Sequence, residues 1–229
     1  MRKELAFKIL KELKDKGIDA YLVGGSSRDY LLNKEFIDID ICSKALPSNN
    51  QIAMQDYELV NKDGMYYGVL KYLVNDHEVE ITTLRKEGEY IKHRRPSKVE
   101  FIYDLQVDSL RRDFTINAIY IDYLGNLYDY HQGIDDINNK LIRMIGNASK
   151  RIEEDSLRIL RAIRLSSKLN FNIEKNLKEI ILNKHELVYS LNINTLKKEI
   201  NKFLEFKSIN EIKNILLEYK IELERIYEY

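Results

Sequence analysis

The sequence predicts an α+β fold: a mixed-sheet domain with helices over residues 1–145, followed by an all-helical domain over 146–229. Three observations carry that division. The first part is filled with short runs rich in Ile, Val, Thr and Tyr, bounded by Gly, Asn and Asp in the manner of strands and turns. Past Gly146 no Gly and no Pro follow, and Glu, Lys, Leu, Ile and Asn dominate, which favours uninterrupted helices. A chain of 229 residues, 44% apolar and 32% charged, has enough apolar material for one large core or two smaller ones.

In chain order, Leu5, Ile9, Leu10 and Leu13 recur at helical spacing before Gly17, predicting an amphipathic helix over about residues 3–16. Residues 20–23 form a short apolar strand, the pair Gly24-Gly25 a turn, and Arg28 the start of a second helix. FIDIDIC at 36–42 is the next strand. Beyond Pro47 the chain is expected as strands around polar turns, with 66–74 and 78–83 on either side of the turn Asn75-Asp76. Residues 85–99 hold Arg85, Lys86, Lys92, Arg94, Arg95 and Lys98 with a Gly and a Pro, and are expected as a mobile basic loop; an ordinary solvated loop accounts for them equally well. RRDFTINAIYID leads from a turn or helix start into an apolar segment, and Gly125-Asn126 turns the chain into LYDY. The helical part divides near 170–172 and again near 192–194.

Lys plus Arg and Asp plus Glu both number 37, so a polyanion partner must be held by a local basic patch. Cys42, the single cysteine, excludes an intramolecular disulfide and a cysteine-rich zinc site; it reads as a small apolar residue closing a buried strand in a reducing compartment. The start has no continuous apolar signal region, and no stretch reaches the ~18 apolar residues of a membrane span, so a cytoplasmic protein is expected. His77, His93, His131 and His185 are scattered without a metal-ligand spacing.

Three motifs carry chemistry. In a strand, Asp38 and Asp40 project from one face while Ile37, Ile39 and Ile41 take the other, and two adjacent carboxylates repel unless a cation lies between them. Magnesium takes one or two carboxylates plus phosphate oxygens, which suits this pair, although two solvent-facing Asp on an edge strand would look the same. Upstream, GGSS occupies a strand-to-helix junction whose backbone N–H groups, with Gly25 allowing close approach and Arg28 adding a bidentate donor, can hold a triphosphate. Cradle and metal together are the logic of nucleotidyl transfer, in which a third carboxylate often assists. Glu80 is the candidate for it, and an exposed strand residue is the equal alternative.

The second motif is RRDFTINA at 111–118. Asp113 suits a helix cap, whereas Arg111 and Arg112 make better sense as phosphate or ribose contacts. In the third, EEDSLRILRAIR at 153–164, Asp155, Arg158, Arg161 and Arg164 follow at steps of three and line one helical face beside an apolar face of Leu157, Leu160 and Ile163. An Asp accepts from an exocyclic amino group and an Arg donates to a neighbouring ring acceptor, a pairing that favours cytosine and adenine over uracil and guanine.

LVGGSSRD, DIDI, RRDFTINA and EDSLRILRAIRL, in that order over about residues 20–173, closely resemble the class II tRNA nucleotidyltransferase and bacterial poly(A) polymerase family, within the polymerase beta-like nucleotidyltransferase superfamily. The resemblance implies a catalytic head and a helical neck, with Asp38 and Asp40 binding Mg2+, Gly25 and Arg28 holding the triphosphate, and Arg111, Arg112 and Asp113 on the incoming nucleotide. It implies that Asp155, Arg158, Arg161 and Arg164 form the nucleotide-reading helix for CTP and ATP, and that 85–99 is the flexible loop assisting the switch from C to A. DICSKALP looks like the family's DIATSALP, which favours addition to the tRNA 3′ end over poly(A) synthesis. Ser26-Ser27, Asn33 and Ile37 depart from the family pattern without removing a catalytic group. Family members usually continue into body and tail domains that grip the tRNA elbow; enzymes that add only CC or only A share these motifs, so such partial addition stays open, as does an inactive RNA-binding remnant.

Overall fold

The computed structural model describes residues 2–36, 38–91 and 95–227; Ile37 and, within the basic segment, Lys92, His93 and Arg94 lie outside it. The chain divides into two units, one of 1–88 with 98–137 and one of 89–97 with 138–229.

The first unit opens with α1 (Arg2–Asp15), whose Leu5, Ile9, Leu10 and Leu13 are all buried as their spacing predicts. Gly17, at φ +78°, ends it by donating to the Lys14 carbonyl. Strand β1 (Ala20–Leu22) runs directly into α2 (Gly24–Leu31). The helix therefore starts at Gly24 and not at Arg28: the two glycines are its first turn. Next come β2 (Ile39–Ser43), α3 (Pro47–Ala53), β3 (Glu58–Asn61), β4 (Val69–Val74) and β5 (His77–Thr83). Helix α3 replaces strand structure expected after Pro47, because proline at the first helical position costs no hydrogen bond. Asn75 (φ +49°) and Asp76 (φ +62°) close the β4–β5 hairpin as two left-handed residues.

Residues expected as a basic loop carry strand structure. β6 (Arg85–Glu87) pairs with β9 (Val99–Phe101), and β7 (Tyr90–Ile91) with β8 (Arg95–Pro96), both antiparallel. The backbone groups of a hairpin satisfy one another, which a composition rich in Arg and Lys does not prevent. Then follow α4 (Leu105–Ser109), a 3-10 turn at Thr115–Asn117, β10 (Ile119–Ile121), β11 (Leu127–Asp129) and α5 (Gly133–Asn138).

Seven strands form one mixed sheet in the order β11-β10-β1-β2-β5-β4-β3, in which β2 and β5 are parallel and the other pairings antiparallel. Strand alternation gives the sheet two chemically different faces. Leu22, Ile39, Ile41, Leu70, Tyr72, Val79 and Ile81 join α1 in the main core. The opposite face holds the smaller cluster of Tyr21, Val23, Cys42, Leu84, Leu105 and Tyr120. Cys42 is fully buried there, and burial pushes its thiol up to about 12.

The second unit contains the β7–β8 pair together with β12 (Leu141–Ile142), α6 (Ala148–Glu154), α7 (Leu157–Leu169), β13 (Asn172–Ile173), α8 (Lys175–Lys184), α9 (Ile193–Leu204), α10 (Ile209–Leu217) and α11 (Glu224–Tyr227). It is not wholly helical: β12 and β13 pair in parallel, which explains why the division falls after Ile137 rather than at residue 145. Asn170, at φ +58°, closes α7, and Asn192 caps α9 by accepting from the Asn194 N–H. These are the two asparagine breaks that the sequence places there.

Candidate active site

Parallel pairing of β2 with β5 sets Asp40 level with Glu80, and antiparallel pairing of β5 with β4 sets Glu80 level with Lys71. A row of three ionisable side chains crosses the sheet. Asp38 lies just before β2 in a bend and is exposed, while Asp40 is half-buried. Burial first, then the charges of Glu80 and Asp38, push the Asp40 carboxyl up to about 6, against the Arg112 charge and a hydrogen bond from the Gly25 N–H. Lys71 Nζ stands 3.4 Å from Glu80 Oε2, and Thr82 Oγ1 donates to Glu80 Oε1 at 3.5 Å.

Among the described residues no three or more His, Cys, Asp or Glu side chains are closed around a metal position. The candidate group is Asp40, level with Glu80 and charge-coupled to Asp38. Its donors are all carboxylate oxygens, and the like-charge crowding that raises Asp40 is relieved by a divalent cation. The residues fit such an ion.

The start of α2 is built onto this row. A Cβ at Gly24 would lie 3.1 Å from Asp40 Oδ2, and its φ of +70° favours glycine in any case. Gly25 donates its N–H to the Asp40 carboxylate. Ser26 Oγ donates to the Asp38 carbonyl and accepts from the Asp40 N–H, both at 2.8 Å, so one hydroxyl fixes the backbone on either side of Ile39. Ser26 thus has a role that reading it as a departure from a motif did not reveal.

Arg28 is 5% exposed, and its guanidinium is held by protein. Nε and Nη2 donate to Asp29 Oδ1 at 2.9 and 2.7 Å, and Nη1 donates to Asn117 Oδ1 at 2.8 Å. The adjacent Asp29 was legible in the sequence; Asn117, brought in by the turn before β10, was not.

Arg111 and Arg112 share one buried carboxylate, Asp108 of α4. Arg111 Nε donates to Asp108 Oδ1 at 2.9 Å; Arg112 Nη2 and Nε donate to Oδ2 at 3.0 and 3.2 Å. The Tyr120 hydroxyl donates to the same oxygen at 2.8 Å, and the Arg85 N–H to Oδ1 at 3.0 Å. Burial alone would raise the Asp108 carboxyl, but the two guanidiniums and these donors hold it well below the usual carboxylate range. The residue at the cap position of the following 3-10 turn is Phe114, one place after Asp113. The signal for the hub was Asp108 at three and four residues before Arg111 and Arg112, the spacing of helical ion pairs.

In the second unit, Asp155 ends α6 and heads α7 without being part of it; its Oδ1 accepts from the Leu157 N–H at 3.2 Å. The single helical face expected for the four residues is thus broken at its first member. Arg158 is 1% exposed and donates through Nη1 to the Arg151 carbonyl at 2.5 Å. Arg161 is half-buried. Arg164 Nε bonds Glu199 Oε1 at 2.5 Å, tying α7 to α9, a partner that the spacing within α7 cannot predict.

A family model described as the poly A polymerase head domain matches residues 20–143. The chain is 39% identical over 216 residues to a CCA-adding enzyme of Staphylococcus aureus (strain MRSA252), covering 93% of this chain and 53% of that one. A solved structure of the Bacillus stearothermophilus CCA-adding enzyme in complex with CTP matches with a TM-score of 0.76 at 33% identity, covering 87% of this chain and 47% of that one. A tRNA nucleotidyltransferase complexed with a primer tRNA and an incoming ATP analog matches with a TM-score of 0.71 at 28% identity, covering 95% and 62%. The chain spans about half the length of the curated relatives it matches.

Proposed function

This chain belongs to the poly A polymerase head domain family, and we propose that it acts there as a cytoplasmic tRNA nucleotidyltransferase, adding CMP and AMP from CTP and ATP to the tRNA 3′ end. The observation that carries this reading is Asp40 in register with Glu80 and charge-coupled to Asp38, with the first turn of α2 bonded directly to it. In the reaction the tRNA 3′ oxygen attacks the α-phosphorus, a new P–O bond forms, and the bond to the bridging oxygen breaks as pyrophosphate leaves with the electron pair.

Nucleotidyltransferases of this family use divalent metal ions; Mg2+ held by Asp38 and Asp40 would supply charge neutralisation at the phosphates and a lowered pKa for the attacking hydroxyl. Ser26 keeps the two carboxylate-bearing positions at a fixed spacing. Glu80, level with Asp40, takes the hydroxyl proton. Gly25 and the start of α2 offer backbone N–H groups to the triphosphate, with Arg28, locked by Asp29 and Asn117, giving that turn its positive charge. The Asp108 hub fixes Arg111 and Arg112 beside Asp113, where they meet the incoming nucleotide as a rigid positive edge. Asp155 and Arg158 read the amino and acceptor edge common to C and A, and Arg161 and Arg164 extend the basic face of α7. Residues 85–99 contribute the element that assists the switch from C to A.

The test is extension of tRNA lacking its CCA end, with each nucleotide supplied singly. CTP and ATP incorporation that requires a divalent cation is expected, with Mg2+ effective; no extension overturns the reading. CC-only or A-only products would narrow it, and long A tails on a non-tRNA primer would make the protein a poly(A) polymerase. Asp155→Ala combined with Arg158→Ala is expected to admit UTP and GTP; unchanged discrimination removes the template role.

A further inference from the structure

The carboxylate row does not end at Glu80. Lys71 is its next member, level with Glu80 on β4, 3.4 Å from Glu80 Oε2 and 4.0 Å from Glu78 Oε2. Its side chain is 41% exposed, so the ammonium remains accessible while its stem lies along the sheet. Burial pulls its pKa down, but the charges of Glu80, Glu78 and Asp38 outweigh that and hold it protonated.

The position of Lys71 in the strand order gives it a use. On the β1 side of Asp40 stand the start of α2, Arg28 and, beyond β1, Arg112 packed on Tyr120 of β10. If the triphosphate occupies that side, in-line displacement places the attacking 3′ oxygen opposite the departing pyrophosphate, on the β5–β4 side. Strands about 4.8 Å apart put β4 roughly 10 Å from β2, near the phosphodiester preceding the attacking ribose. That surface carries Glu78 and Glu80, which repel an RNA backbone. Lys71 is the cation set between them.

Resting on the nucleotidyltransferase reading above, we propose that Lys71 binds the terminal backbone phosphate of the acceptor RNA and so positions its 3′ hydroxyl at Glu80. Lys71 gains a phosphate partner without surrendering its carboxylates, because an ammonium has three donors. The exposed pairs with Glu78 and Glu80 are weak and salt-screened, so they do not hold it back.

The test uses the full chain and tRNA lacking its CCA end, comparing wild type with Lys71→Ala and Lys71→Arg. Lys71→Ala is expected to weaken tRNA binding and raise the acceptor KM several-fold, with the CTP KM unchanged. The slope of log Kd against log salt should fall by about 0.7–1, the loss of one phosphate contact. Lys71→Arg should restore both. An unchanged salt slope and acceptor KM, with loss confined to kcat or to the pH profile, would make Lys71 only a partner of Glu80 and overturn the proposal. Wild type that binds tRNA without extending it would defeat the nucleotidyltransferase reading, while the salt slope still decides the Lys71 contact; wild type that binds no tRNA defeats both.

Discussion

Asp40 and Asp108 belong to the same sheet unit, yet their surroundings drive them in opposite directions. Asp40 is crowded by Asp38 and Glu80 and titrates at about 6. Asp108 is more deeply buried, but two guanidiniums, a tyrosine hydroxyl and a backbone N–H hold it firmly ionised. Burial alone does not distinguish a site from a scaffold; what the carboxylate lacks does. Asp108 has its cations built in, whereas Asp40 has most of its neighbours of the same sign and is suited to one supplied from outside.

The contrast breaks most visibly in activity. Asp40→Ala is expected to lower nucleotide incorporation by about 10³-fold or more, the scale of lost metal-borne charge stabilisation, in a primer-extension assay, while leaving the fold intact by circular dichroism. Asp108→Asn should show itself first in stability. It removes the carboxylate that two largely buried arginines share and is expected to cost about 3–5 kcal/mol in urea unfolding.

A smaller effect sharpens the comparison by pH. Because the native carboxyl of Asp40 binds its proton more tightly than the unfolded one, metal-free protein should lose stability as pH rises from about 4 to 6. Asp108 is shifted the other way, so its contribution is present above about pH 4 and is lost on acidification. Asp40→Asn should therefore be more stable than wild type by about 3 kcal/mol at pH 7.5 without metal, and by about 1 kcal/mol near pH 4.5. Divalent cation should erase the difference by stabilising wild type alone. The smallest test compares two buried tyrosines. Tyr120→Phe deletes a donor to Asp108 and is expected to cost about 1–2 kcal/mol; Tyr72→Phe, which removes a buried hydroxyl with no partner among the described residues, should be neutral or slightly stabilising.

Most of the fold was legible because it rests on local periodicity and turn chemistry. The α1 stripe, the Asn75-Asp76 hairpin and the asparagine breaks at 170 and 192 all appear where the residues require them. Helix α3 and the β6–β9 and β7–β8 pairings were not legible, since a polar or basic composition says little about backbone pairing. At the site, the carboxylate residues were readable from alternation. Their support was not: Arg28 finds Asn117 across 89 residues, and Arg164 finds Glu199 on another helix. Asp108 lay within reach of sequence reasoning, three and four residues before the arginine pair.

The parallel β2–β5 ladder also bears on how the protein acquires its chemistry. Ile39 to Ser43 meet Val79 to Thr83 only after the intervening chain has folded back, whereas the β4–β5 hairpin closes through a two-residue turn. Non-local pairing of this kind pays its loop entropy before it is rewarded, so the hairpin forms first and β2 docks onto its free edge later. Asp40 and Glu80 are brought level at that docking step. A chain in which β2 has not yet docked therefore has no assembled carboxylate row, and the candidate site arrives together with the completed sheet.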